Sequence, residues 1–144
     1  MTALGFQWVR PPTQMARRIE DYGDRVLVAV QAAAAYVGEQ MQNQARANAP
    51  WTDRTGNARS GLFYAVDGLG LNPLMGRIQS VDMSLATDTV SVSGDKDHLV
   101  LLLGHTVFYG KWLEVSNGAK YAIVMSTVEA NLGALERALH RLLK

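Results

Sequence analysis

The sequence predicts an α+β fold: a long N-terminal helix, then a mostly antiparallel sheet of about four strands, then a C-terminal helix packed on one face of that sheet. Three observations carry this. Apolar residues step by three or four from Ile19 to Ala45, the period changes to two after Gly61, and helical spacing returns from Val128 to Leu142. At 144 residues the chain has room for one compact domain and too little for two ordinary ones.

Residues 1–14 read as an arm ahead of a single domain over residues 15–144. Pro11 and Pro12 block regular pairing, while Phe6 and Trp8 are large apolar groups in a segment without periodicity. Such an arm docks either on its own domain or on a neighbour. The spacing then predicts a helix from about Gln14 to Asn48, with Thr13 as its N-cap and Glu20 and Asp21 near its positive end. Its stripe is Ile19, Tyr22, Val26, Val30, Ala33, Val37, Met41 and Ala45. Pro50 disfavours helical geometry at Ala49 and stops it. Ala32 to Ala35 keep its middle slim, and Gly38 is a place where it can soften or bend. At 1.5 Å per residue this helix is about 50 Å long, against roughly 35–40 Å across for a compact chain of this size. It should overhang its own domain or lie along another subunit. A break at Gly38 with the two halves folded together is the alternative.

The run from Asn48 to Gly61 is polar and turn-rich and carries one Trp, as a loop that is either solvated or held by a neighbour. Leu62 to Asp67 reads as a first strand. Ile78 to Ala86, with Val81, Met83 and Leu85 on one face, pairs as a hairpin with the segment holding Val90 and Val92. A second turn precedes Leu99 to Leu103, whose unbroken apolar run predicts a strand buried on both faces and central in the sheet. Trp112 and Leu113 are expected to pack beneath the sheet, and Tyr121 to Met125 reads as a further strand. Ser126 and Glu129 form a capping box for a last helix from about Thr127 to Leu143, with Val128, Leu132, Leu135, Leu139 and Leu142 as its stripe.

Fourteen Lys plus Arg against 13 Asp plus Glu leave a formal charge of +1, without the basic excess by which a domain grips nucleic acid. Cysteine is absent, which excludes disulfides, thiolate zinc sites, iron–sulfur clusters and cysteine catalysis. No secretion signal is expected from Met1 to Arg10, and the 13 uncharged residues from Val26 to Gly38 are too few to cross a bilayer.

The histidines are the obvious candidates for acid–base or metal work. His98, His105 and His140 fall in no H-x-x-x-H or H-E-x-x-H pattern and read as surface or hydrogen-bonded structural residues. Asp95 and Asp97 resemble the opening of a calcium loop, but Leu99 stands at the third ligand position. Gly68 and Gly70 lack a dinucleotide-fold context, and Ser60 sits in no nucleophile elbow. Glu114 is a lone carboxylate that caps or pairs with Lys111 or Lys120. No catalytic constellation, metal site or cofactor is expected. The competing enzyme reading is a small metal- or His-dependent hydrolase using His98, His105 and Glu114.

Two segments carry a resemblance. Ala49-Pro50, Thr55-Gly56, Arg59 and Ser60, after a long amphipathic helix, resemble the "A-P-x-x-T-G-x-L-R" stretch of the tail-completion, or head–tail joining, proteins of long-tailed bacteriophages. Tyr109-Gly110-Lys111-Trp112-Leu113-Glu114 is similar to that family's "Y-A-x-x-[VL]-E-x-G" segment, and the closing helix follows in the expected place. The resemblance spans roughly Ala16 to Lys144. It departs from the pattern at Asn57-Ala58, which adds a residue and replaces the usual Leu, and at Tyr121 to Ser126 in place of "P-F-L-x-P-A".

The resemblance implies a virion protein made in the host cytoplasm, an α+β subunit of a ring, typically sixfold, at the head–tail junction. Such rings complete or terminate the tail and join it to the head. Implied partners are further copies of the chain, a head-connector or stopper protein and a tail-tube protein, with DNA only as passing cargo and no membrane. The subunit contacts expected on this basis are Phe6 and Trp8 of the arm, Ala32, Ala34 and Val37 of the helix, and Trp51, Arg54 and Arg59 of the loop. A non-viral oligomeric interaction module is the other alternative.

Overall fold

The computed structural model describes residues 12–52, 54–76, 83–86 and 93–143. Helix α1 (Pro12–Asn48) is unbroken over 37 residues, about 55 Å at 1.5 Å per residue. It begins at Pro12, two residues before the predicted start. Proline suits that position because a first-turn N–H has no intrahelical partner and the ring presets φ. Thr13 therefore lies inside the first turn and does not cap it. Phe6 and Trp8 lie outside the described residues.

The helix runs through Gly38 without a break, and the reason for glycine there is proximity. A Cβ at Gly38 would lie 2.7 Å from Tyr64 Cδ2 and 2.8 Å from Leu101 Cδ1. The sheet comes down onto α1 at this point, and any side chain would hold it off.

Strands β1 (Leu62–Gly68), β2 (Leu71–Met75) and β3 (Leu99–His105) form an antiparallel sheet in the order β2-β1-β3 among the described residues. The ladder sets Leu62 opposite His105, Tyr64 opposite Leu103 and Val66 opposite Leu101. The expectation that Leu99 to Leu103 is the central strand is corrected. Strand β1 holds the centre, with Leu62, Phe63, Ala65 and Val66 all fully buried, whereas Leu103 is the one fully buried residue of β3. An apolar run reports how much oil a strand carries, not its place in the order. Strand β2 was missed because Leu71-Asn-Pro-Leu-Met75 has no clean alternation, and it is largely exposed. Pro73 suits such an outer strand, since it has no N–H to give to a ladder.

Two other expected strands are corrected. Residues 78–82 and 90–92 of the proposed hairpin lie outside the described residues, but Met83–Leu85 is a turn of 3₁₀ helix, with Ala86 bridged to Val107. Tyr121 to Met125 is no strand: helix α4 (Val124–Leu142) starts inside it. The Ser126–Glu129 capping box is therefore not the helix start. Ser126 Oγ instead donates to Ile123 O at 3.2 Å. Short helices α2 (Asn57–Ser60) and α3 (Gly110–Val115) complete the set with a 3₁₀ turn at Asn117–Ala119.

The C-terminal part of α1 packs on the sheet, where Val37, Met41 and Ala45 join Leu62, Leu103, Val107 and Ile123 in one core. Helix α4 runs antiparallel beside α1. Asn131 Nδ2 donates to Gln44 Oε1 at 2.7 Å toward one end, and Leu142 shares a recess with Tyr22 and Val26 at the other. Beyond that point no other described element covers α1, and residues 13–25 are exposed throughout. The predicted overhang is present.

Candidate functional site

The two segments that carry the resemblance each tie off a helix end. After Asn48 the last carbonyls of α1 have no intrahelical donors. Arg59, brought back by the loop and α2, supplies one of them: its guanidinium donates to Arg46 O and, just past the helix, to Trp51 O at 3.2 Å and Ala49 O at 3.5 Å. Arg46 reaches the other way and donates to Ser60 O at 3.0 Å and Leu62 O at 2.7 Å. Burial of Arg46 lowers its pKa, yet a guanidinium remains charged at any physiological pH. The A-P…T-G-x-x-R stretch is thus a clasp that locks α1 to the start of β1. Gly56 holds the turn open with φ +80°.

The second segment ties off α4. Both oxygens of Glu114 accept from Ile123 N, at 3.2 and 3.1 Å, and Oε2 accepts from Val124 N at 3.2 Å. A carboxylate at a helix start satisfies orphan donors and meets the positive end of the helix dipole. Glu114 Oε1 also lies 2.8 Å from His105 Nε2, with only 7% of the histidine side chain and 18% of the glutamate side chain exposed. A carboxylate can only accept, so Nε2 carries the hydrogen. Trp51 packs near the imidazole, ring centres 6.0 Å apart. Trp51 Nε1, His105 Nδ1 and Thr106 Oγ1 are buried without a hydrogen-bond partner among the described residues. A Cβ at Gly110 would collide with the His105 side chain, so the glycine and the histidine belong together. Tyr109 and Leu113 pack on the core, whereas Trp112, expected beneath the sheet, is 55% exposed with Lys111 Nζ 5.0 Å from its ring centre.

The enzyme reading grouped His98, His105 and Glu114. The structure joins the last two and separates the first. His98 precedes β3 and His105 ends it, about 23 Å away at roughly 3.3 Å per residue. His98 lies on an exposed turn, where Nδ1 is 2.8 Å from Asp95 Oδ1. Asp97 N also donates to that oxygen at 2.8 Å. These two hydrogen bonds, His98's first, hold the Asp95 carboxyl below its ordinary value. Among the described residues no three His, Asp or Glu side chains are grouped to hold a metal ion.

The expected subunit contacts divide. Ala34, Val37 and Trp51 are buried in the single chain, Arg59 is engaged in the clasp, and Ala34 is also among the residues that line an apolar recess described below. Ala32 and Arg54 are exposed. The surface that local reading undervalued lies further forward. Met15, Ile19 and Tyr22, spaced four and three apart, are 51%, 69% and 62% exposed, and they continue the same stripe that Val26 and Val30 begin to bury. Their spacing was legible; that, among the described residues, only Leu142 beside Tyr22 comes near them was not.

A second apolar surface lies where α1, α4 and β3 meet. Val30, Leu99, Leu101, Leu132, Leu135 and Leu139 are among the residues lining a recess of about 310 Å³. No local signal marks it, because its walls come from three segments distant in sequence. Comparison of the chain with protein-family models, with curated proteins and with solved structures finds no match. Among the described residues, no helix is long and apolar enough to cross a membrane.

Proposed function

We propose that this chain is a structural virion subunit, one copy in a ring at the head–tail junction of a long-tailed phage. There it would complete or terminate the tail and join it to the head connector, with DNA passing through the ring. The observation that supports assembly is the uncovered front of α1, an apolar stripe held out in water by a helix whose rear half is anchored in the core. Leaving three large apolar side chains in water gives a monomer nothing, whereas a neighbour that covers them gains about 25 cal/mol per Å². The head–tail assignment itself is supported by the two sequence segments, which in this chain clasp the ends of α1 and α4. Near-neutral charge suits a channel that must release DNA.

Electron microscopy of a lysate from a phage lacking this gene tests the reading. Filled heads beside unattached tails are expected for a joining role, and overlong tails for a terminator. Normal infectious virions would overturn it and favour a non-viral oligomeric module.

A further inference from the structure

We infer that the exposed front of α1 in one copy seats its Met15–Ile19–Tyr22 stripe in the recess between α1, α4 and β3 of the next copy. The inference rests on the assembly reading above and names the two surfaces that meet.

The chain cannot join these surfaces to each other. Ile19 precedes Val30 by 11 residues of continuous helix, about 16 Å of rigid rod. The stripe points past its own recess, and among the described residues only Leu142, beside Tyr22, comes near it. The chemistry matches: the recess is walled by aliphatic side chains from three elements, and Leu132 at its mouth is 48% exposed. Helix-in-groove docking uses anchors spaced three and four apart, which is the spacing of Met15, Ile19 and Tyr22. Charge agrees as well. Arg18 stands one turn from both Met15 and Tyr22 and borders the stripe, while exposed Glu129 and Glu136, each one turn from Leu132, border the recess on α4. Stripe and recess are different surfaces of one chain, so the contact is head-to-tail. A head-to-tail contact closes into a ring when its rotation divides a full turn, and otherwise runs on as a filament.

The absence of cysteine makes the test clean. Full-length Ile19→Cys and Leu132→Cys chains, each altered at an exposed position, are mixed and treated with a short bismaleimide, both purified and in phage lysate. Dimers linking one variant to the other are expected, with neither variant linking to itself. A chain carrying both changes should give a ladder of linked copies. Arg18→Glu should cut the linked yield severalfold, and Glu136→Arg should restore it. Assembled material without the 19–132 link would overturn this inference and leave the ring reading standing. A Trp8→Cys link to Leu132→Cys in its place would assign the recess to the arm and overturn it too. A chain monomeric in both settings would overturn both readings.

Discussion

The two halves of α1 are built to one pattern and meet opposite fates. From Val30 to Ala45 the apolar stripe lies against the sheet and α4, with Ala34, Val37, Met41 and Ala45 at most 2% exposed. From Thr13 to Arg25 the same three-and-four spacing stands in water. The rear half is also clasped at its end by Arg59, whereas among the described residues the front half has its own helical hydrogen bonds, one from Arg25 Nε to Asp21 O, and a shared recess with Leu142 at Tyr22. An isolated helix of a dozen residues is marginal in water, so the front turns owe their order to continuity with the anchored rear. Amphipathicity announces that a face will be covered. It does not say by which molecule.

The sharpest way to break this comparison is to truncate one side chain in each half. Met41→Ala should cost about 2–5 kcal/mol of unfolding free energy, the usual range for emptying a buried site. Ile19→Ala should stay within about 0.5 kcal/mol, as for a surface change, while weakening association. Urea unfolding of dilute protein measures both, and comparable losses at the two positions would mean the front of α1 is packed after all. Next in size, Glu114→Gln should cost about 1.5–3 kcal/mol, because a charged acceptor shared by His105 and two backbone N–H groups becomes a neutral one. Hydrogen exchange should locate the loss in the first turn of α4, and an unchanged exchange rate there would refute the capping role.

Gly38→Ala sharpens the account of the rear half. Alanine gains about 1 kcal/mol of helix propensity over glycine, but overpacking against Tyr64 and Leu101 costs about 1–3 kcal/mol. The net effect should be destabilising by thermal melting. Gly23→Ala, in the front half with open space around it, should stabilise. The smallest effect concerns acid. Asp95 has a carboxyl pKa depressed below 3.8, so its contribution is complete above that value and fades as pH falls through the lower folded one. Asp95→Asn should therefore flatten the pH dependence of stability below about pH 4 and leave neutral behaviour alone. An unchanged acid limb would show that its bonds to His98 and Asp97 form equally well in the unfolded chain.

Much of the fold was readable because its signals are local. The helical spacing from Ile19 to Ala45, the stop at Pro50, the strand after Gly61 and the closing Leu132–Leu142 stripe each sit within one element. The misreadings fall where a distant group decides. Tyr121 to Met125 carries strand-forming residues, yet Glu114 offers an acceptor to Ile123 and Val124 and the helix begins there. Leu99 to Leu103 looks like a sheet centre, yet it is β1 that has a partner on each edge, β3 along its whole length and β2 at Ala65, Val66 and Gly68. At the candidate site the stripe residues Ile19 and Tyr22 were in view. The recess was not, since Val30, Leu99 and Leu132 become neighbours only on folding.

The sequence alone determined the two long helices, that the first is too long for its domain, and that charge and cysteine chemistry are lean. The tertiary structure alone decided which strand is central, that Arg59 and Glu114 close helix ends, that Gly38 and Gly110 are required by near neighbours, and which half of α1 is left uncovered. The physical reason is one of range. Periodicity and capping propensity act over a few residues of backbone, whereas burial is a relation between surfaces that folding, and then assembly, must first bring together.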